Sequence, residues 1–162
     1  MHVEPFLEAD RERVLAMARA GEQSLDLDRE LARGWATLWV AREHDAGPAL
    51  AFLLAWSVAD EVHIINVATD PEHRRKGAAS ALLARTLDHA RTQRARLVLL
   101  EVRRSNRAAL ELYRAHGFTA MGLRRGYYAE NSEDAVEMML ELDPKTGEIL
   151  PGRDEVLLPG ES

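Results

Sequence analysis

Apolar positions recur along this chain with two distinct periods, and the changes between them divide it into short elements. Residues 2–6 read as a strand. Residues 9–20 place Val14, Met17 and Ala18 on one side of a helix, and a second, shorter helix is expected over 25–33. Thr37–Glu43 and Ala49–Val58 are apolar runs joined by His44-Asp45-Ala46-Gly47-Pro48, which predicts a hairpin. After a turn at Ala59-Asp60, Val62–Ala68 is rich in β-branched residues and Pro71 stops it. Gly77–Gln93 returns to the helical period, with Leu83, Leu87 and Ala90 on one face. Arg96–Arg103 is an apolar run short enough for a buried strand. A helix follows, opened by Ser105 or Asn106 and closed by Gly117, with Ala109, Leu112, Tyr113 and His116 on one face. Strands near 118–127 and 135–142 complete the series.

The elements run β-α-α-β-β-β-α-β-α-β-β, which places the chain in the α/β (α+β) class, with a central mixed, mostly antiparallel sheet of about seven strands. No repeat or linker divides residues 1–142, so one domain is expected there. Residues 143–162 carry Pro144, Gly147, Pro151, Gly152, Pro159 and Gly160 among charges, and predict a mobile, peripheral tail. Val156, Leu157 and Leu158 are suited to docking on the domain or on a partner.

Candidate chemistry begins where the Val62–Ala68 strand turns into the following helix. The turn reads Asp70-Pro-Glu-His-Arg-Arg-Lys-Gly-Ala-Ala-Ser80 and delivers a helix N-terminus. Amides without intrahelical partners and the positive end of the helix dipole meet there, so a pyrophosphate would be held mainly by backbone. Gly77, Ala78, Ala79 and Ser80 have side chains short enough for an anion to approach. The spacing is Arg-x-x-Gly-x-Ala at Arg74, Gly77 and Ala79; it is neither the nucleotide-triphosphate loop nor the Gly-x-Gly-x-x-Gly dinucleotide turn.

Within Arg96–Arg103, the two-residue period puts Glu101 on the face of Leu97 and Leu99. A carboxylate on such a face is either an acid/base group facing a wet cleft or a strand-end residue paired with Arg103 or Arg124. Tyr113, on the next helix, is either a core aromatic or a phenol aimed into the cleft beside that strand. A groove between the Val62–Ala68 and Glu101 strands is the expected active site.

Six segments in order, Asn-Val-Ala-Thr-Asp-Pro, Arg-Arg-Lys-Gly, Leu-Glu-Val-Arg-x-Ser-Asn, Leu-Tyr-x-x-x-Gly-Phe, Arg-Arg-x-Tyr-Tyr and Glu-Asp-Ala-x-x-Met, occur over residues 66–139. Together they resemble the ribosomal-protein alanine N-acetyltransferases of the RimI type, a branch of the GCN-related N-acetyltransferase (GNAT) superfamily. The resemblance implies acetyl-coenzyme A as co-substrate, its pyrophosphate on Arg74, Arg75, Lys76, Gly77, Ala78, Ala79 and Ser80, and its pantetheine arm along Val67, Ala68 and Thr69. It implies Glu101 as general base, Tyr113 as general acid, Asn106 in contact with the cofactor, and Tyr127 and Tyr128 receiving the peptide N-terminus. The implied acceptor is a protein or peptide with a free N-terminus, an alanine-starting ribosomal protein foremost; lysine side chains or a small amine are the alternative. A non-catalytic acyl-coenzyme A binding module is a further alternative, against which intact Glu101 and Tyr113 speak. The chain departs from the family pattern at Gly21–Asp28, which has Gly-Glu-Gln-Ser-Leu-Asp-Leu-Asp where a Pro-Trp pair is expected.

Composition narrows the alternatives. The absence of cysteine excludes a thiol acyl-enzyme, a Cys-based zinc site and disulfides. Six histidines show no metal-binding spacing, so no metal is expected; His63 reads as a partly buried histidine bonded to backbone. A net charge of −6 argues against general nucleic-acid binding, while the local cluster His73–Lys76 suits a polyanionic cofactor. No stretch approaches membrane length, and a cytoplasmic monomer or weak dimer is expected.

Overall fold

A computed structural model describes residues 1–128, 131–156 and 158. Leu157, Pro159, Gly160 and the last two positions of the expected tail lie outside the described residues. The elements follow the expected order: β1 (His2–Pro5), α1 (Arg11–Ala20), α2 (Leu27–Leu31), β2 (Ala36–Arg42), β3 (Ala49–Val58), β4 (Glu61–Thr69), α3 (Ala78–Thr92), β5 (Leu97–Arg103), α4 (Arg107–Ala115), β6 (Thr119–Tyr128), β7 (Glu133–Leu142) and β8 (Ile149–Leu150). Short 3-10 turns precede α1 and α3. The chain divides into two compact units, residues 1–58 with 64–89 and residues 59–63 with 90–162.

In the first unit the strands are ordered β1-β2-β3-β4. β2 and β3 form the expected antiparallel hairpin, with Leu38 opposite Leu54 and Val40 opposite Phe52, and a bulge at Ala41/Arg42. Seven consecutive residues of β3, Ala49–Ala55, are buried, the signature of a strand covered on both faces. Val14, Met17 and Ala18 of α1 pack with Leu27, Leu38, Val40, Phe52, Leu54 and Ala68 into one core. At Gly47 in the hairpin turn, an added Cβ would lie 2.9 Å from the His44 ring, so only glycine closes that turn without moving its neighbour. α2 is shorter than expected because its apolar pattern is too brief to propagate; Asp26 caps it by accepting the Arg29 amide.

The first unit also holds a buried ion pair that the apolar pattern does not announce. Arg42 makes two 2.7 Å bonds to the Asp10 carboxylate, a 2.9 Å bond to Glu4 and a 3.0 Å bond to the Gly47 carbonyl. The Arg42 and Asp10 side chains are each 5% exposed. Burial by itself would raise the Asp10 carboxyl, but the hydrogen bonds from Arg42 and the Leu7 amide outweigh it and hold the group below the ordinary aspartate range.

In the second unit β7 lies between β5 and β6, antiparallel to both. Its register sets Leu99 opposite Met139, Glu101 opposite Glu137 and Arg103 opposite Ala135. α4 buries Leu110 and Tyr113 most deeply; Ala109, Leu112 and His116 are half-buried beside them. Asn106 caps the helix by accepting the Ala109 amide at 3.2 Å, and Gly117 turns the chain at φ 104°.

The segment after Leu142, expected as a mobile tail, instead contributes an eighth strand. β8 pairs with β7 through Leu150 opposite Glu141 and Ile149 opposite Leu142. Asp154 then accepts the Ala120 amide at 2.8 Å and the Arg114 guanidinium at 2.6 Å, the Glu155 amide donates to the Ala120 carbonyl, and Leu158 is 5% exposed. Backbone groups and one aspartate make most of these contacts, so no apolar period marks them in advance.

Replacing Asp10 by Asn should destabilise the fold by ~3 kcal/mol, because it leaves Arg42 buried with only Glu4 to balance it. Since the folded carboxyl titrates below its unfolded value of ~3.9, its contribution is complete above that pH and lost as pH falls through the lowered value. Urea unfolding of both proteins between pH 3 and 7 measures this. The gap between parent and Asp10→Asn should be full at neutral pH and narrow in acid; a constant gap would contradict it.

Candidate functional site

The turn from β4 into α3 belongs to the first unit and is built by local backbone chemistry. Asp70 caps a 3-10 turn over Pro71–His73 by accepting the Glu72 amide at 2.9 Å, a bond that, with Arg13 and His73 nearby, holds its carboxyl low. Arg13 bonds Asp70 at 3.0 Å and the Ala49 carbonyl at 2.8 Å, which fixes the end of β4 to the start of β3. Arg75 at φ 64° and Gly77 at φ 85° then take left-handed conformations. The Ala81 amide donates to the Gly77 carbonyl at 3.0 Å, so Gly77 caps α3 and the amides of Ala78, Ala79 and Ser80 precede its first intrahelical bond. A Cβ on Gly77 would meet nothing within 4 Å, so glycine is needed there for its backbone angle rather than for space. Arg74, Arg75 and Lys76 are exposed on this turn, with Lys76 3.8 Å from Glu43.

The strand leading to the turn is tied to the α1–α2 connection. Gln23 donates its side-chain amide to the Val67 carbonyl at 2.7 Å and accepts from Asn66 at 3.0 Å. One of the strand carbonyls expected to lie open at Val67–Thr69 is therefore already used. The Ala68 side chain belongs to the core, and Val67 and Thr69 are half-buried. The stretch Gly21–Asp28, which departs from the family pattern, thus carries a residue that holds β4 in place.

The second unit holds the side chains expected to act as acid and base. Glu101 is half-buried on β5, on the face of Leu97 and Leu99, and bonds Arg124 with Nη1 3.2 Å from Oε1. Arg124 also reaches Glu137 through its Nε at 2.7 Å, so one guanidinium spans two carboxylates that sit directly opposite each other on β5 and β7. The hydroxyl of Tyr127 hydrogen-bonds Glu101, the main cause of that phenol's raised pKa, and Arg124 lies 5.4 Å from the Tyr127 ring. Glu101 is half-buried and paired with Arg124, one of the two partners expected for it as a strand-end residue. Glu137 is the member that the sequence reading missed. The two-residue period of β7 was the available signal, since it places Glu137 on the face opposite buried Val136 and Met138.

Tyr113 is buried in α4 and packs edge-on against Phe118 at 5.8 Å between ring centres. Burial, with Tyr128 nearby, pushes its phenol far above the ordinary range, so it keeps its proton. Burial pushes Tyr128 up to about 12, although the Arg103 guanidinium 4.0 Å over its ring opposes this. Tyr127 and Tyr128 meet edge-to-face at 5.1 Å. Asn106 is exposed at the start of α4, its side-chain oxygen used by the cap. His63 bonds the Glu61 carboxylate at 2.9 Å rather than backbone. Among the described residues no group of His, Asp and Glu is arranged to hold a metal, and no helix is long and apolar enough to cross a membrane.

Three likenesses agree with this arrangement. The chain is 38% identical over 98 residues to the [ribosomal protein bS18]-alanine N-acetyltransferase of Escherichia coli, a match covering 59% of this chain and 66% of that protein. It is 47% identical over 78 residues to the N-alpha-acetyltransferase RimI of Mycobacterium tuberculosis, covering 48% of this chain and 46% of the relative. The crystal structure of the ribosomal-protein-S18-alanine N-acetyltransferase from Escherichia coli superposes with a TM-score of 0.73 at 26% identity, over 96% of this chain and 97% of that one. Residues 6–118 match the model of the acetyltransferase (GNAT) family, a span that takes in the β4–α3 turn, Glu101 and Tyr113, and the chain belongs to that family.

Proposed function

We propose that this chain is an acetyl-coenzyme A-dependent N-acetyltransferase that modifies the N-terminal α-amine of a protein in the cytoplasm, an alanine-starting ribosomal protein foremost. Two observations carry the reading, each within its own unit of a chain of the GNAT family: a glycine-capped, cationic helix start in the first and a half-buried glutamate on a strand of the second. The names of both relatives support an α-amine as the acceptor, and that of the Escherichia coli protein supports alanine.

In this scheme the amides of Ala78, Ala79 and Ser80 and the cations at Arg74–Lys76 receive the diphosphate. The acceptor nitrogen attacks the thioester carbonyl carbon and the C–S bond breaks. Glu101 takes the proton that the nitrogen loses, and the leaving thiolate takes one from Tyr113, a phenol that carries its proton at neutral pH. A peptide α-amine, with pKa ~8 against ~10.4 for lysine, already has a sizeable neutral fraction near pH 7, so a carboxylate is a sufficient base. Tyr127 and Tyr128 would border the acceptor, since Tyr127 already touches Glu101.

Acetyl-coenzyme A offered with peptides that differ only in a free or blocked α-amine tests the acceptor class, with the acetyl group located by fragmentation mass spectrometry. Acetylation at the α-amine alone is expected; transfer only to lysine would replace this reading with the side-chain alternative. Replacing Glu101 by Gln should slow kcat roughly a hundredfold while leaving acetyl-coenzyme A binding within twofold, as single-turnover kinetics and calorimetry will read. Gly77→Ala should keep the fold, since its Cβ enters open space, yet weaken cofactor binding about tenfold because a left-handed alanine costs ~1–2 kcal/mol. Unchanged cofactor affinity in Gly77→Ala would remove the turn as the phosphate site.

A further inference from the structure

Glu101 and Glu137 are register partners on neighbouring antiparallel strands, and they share the half-buried face of β5 and β7. Like charges directly opposite each other on a sheet repel, and the pair is tolerated here because Arg124 of β6 lies across both. The two contacts are unequal: Nε to Glu137 is 2.7 Å and Nη1 to Glu101 is 3.2 Å. Gly122 keeps room for this arrangement, since a Cβ there would stand 3.2 Å from the Glu137 carboxylate. Arg124 and Glu137 are 54% and 41% exposed at their side chains, so their contacts can be exchanged at small cost.

A carboxylate bonded to a guanidinium through one oxygen offers a second cation less of its charge. The α-amine of an acceptor arrives largely as an ammonium, and Arg124 at Oε1 of Glu101 competes with it for that charge. We propose that Glu137 is a positioning residue for the acceptor: it gives Arg124 a second carboxylate to rest on, so that Arg124 yields Glu101 to the incoming ammonium without losing its own counter-charge. This inference rests on Glu101 acting as the base of an N-acetyltransferase. Without Glu137, Glu101 is the one carboxylate that Arg124 bonds among the described residues, and Arg124 competes with the acceptor for it.

Steady-state kinetics with acetyl-coenzyme A and a free-amine peptide test this on the parent, Glu137→Gln, Arg124→Gln and the double variant. Glu137→Gln should raise the acceptor KM about tenfold while kcat and the acetyl-coenzyme A KM stay within twofold. Adding Arg124→Gln should return the acceptor KM to near the parent value, because the competitor is gone. The difference between parent and Glu137→Gln should persist in ~1 M salt, where a field reaches only about 3 Å. An acceptor KM unmoved by Glu137→Gln, one not rescued by Arg124→Gln, one levelled by salt, or an equal loss in kcat would each overturn the proposal. A parent inactive towards every amine would instead remove the acetyltransferase reading, and this inference with it.

Discussion

The register between β5 and β7 is the constraint on which the chemistry of the second unit depends. Side chains on paired strands share a face only at matched positions, and a slip of one residue would turn Glu101 to the buried face and Val98, Leu100 and Val102 to the other. The apolar alternation of both strands holds the register, because Val98, Leu100, Val102, Val136, Met138 and Leu140 must all stay buried. Holding those six inside forces Glu101 and Glu137 to face each other outside. Arg124 is therefore a requirement of the packing as well as a participant in the site: two adjacent carboxylates on one face need a cation between them.

The first unit meets a different constraint, set by backbone conformation. A helix start can meet an anion only if the preceding chain turns sharply enough to leave its amides uncovered, and here Arg75 and Gly77 supply two left-handed residues for that turn. The ends of β3 and β4 are joined through Arg13, and β4 is joined to the α1–α2 connection through Gln23. The turn thus projects from a strand fixed on two sides. The buried Arg42–Asp10 pair binds the end of β2 to the turn before α1, an arrangement that adds directionality where apolar contact alone has none.

Much of this was legible in advance for a definite reason. The helix of Val14, Met17 and Ala18, the Ala49–Val58 strand and the helix of Leu83, Leu87 and Ala90 each repeat an apolar position with one period, and burial selects for that repeat directly. Asn106 and Gly117 act within a few residues of themselves, so their capping roles were readable too. The eighth strand and the anchoring of Asp154 were not, because a two-residue strand has no period and Asp154 bonds a backbone amide at position 120. Gln23 was passed over for the same reason: its partners, Val67 and Asn66, lie more than forty positions along the chain.

By itself the sequence determined the kinds and order of the elements, the turn that delivers the start of α3, the placing of Glu101 on the face of Leu97 and Leu99 and the family resemblance. These depend on spacing and local conformation, which a linear string contains. Tertiary structure decided the partners: that Glu101 shares Arg124 with Glu137, that Arg42 finds Asp10, that Gln23 takes a carbonyl of β4, and that the segment after Leu142 joins the sheet. A hydrogen bond or ion pair is specified by distance in space, and distance between residues far apart along the chain exists only once the strands have chosen their neighbours and register.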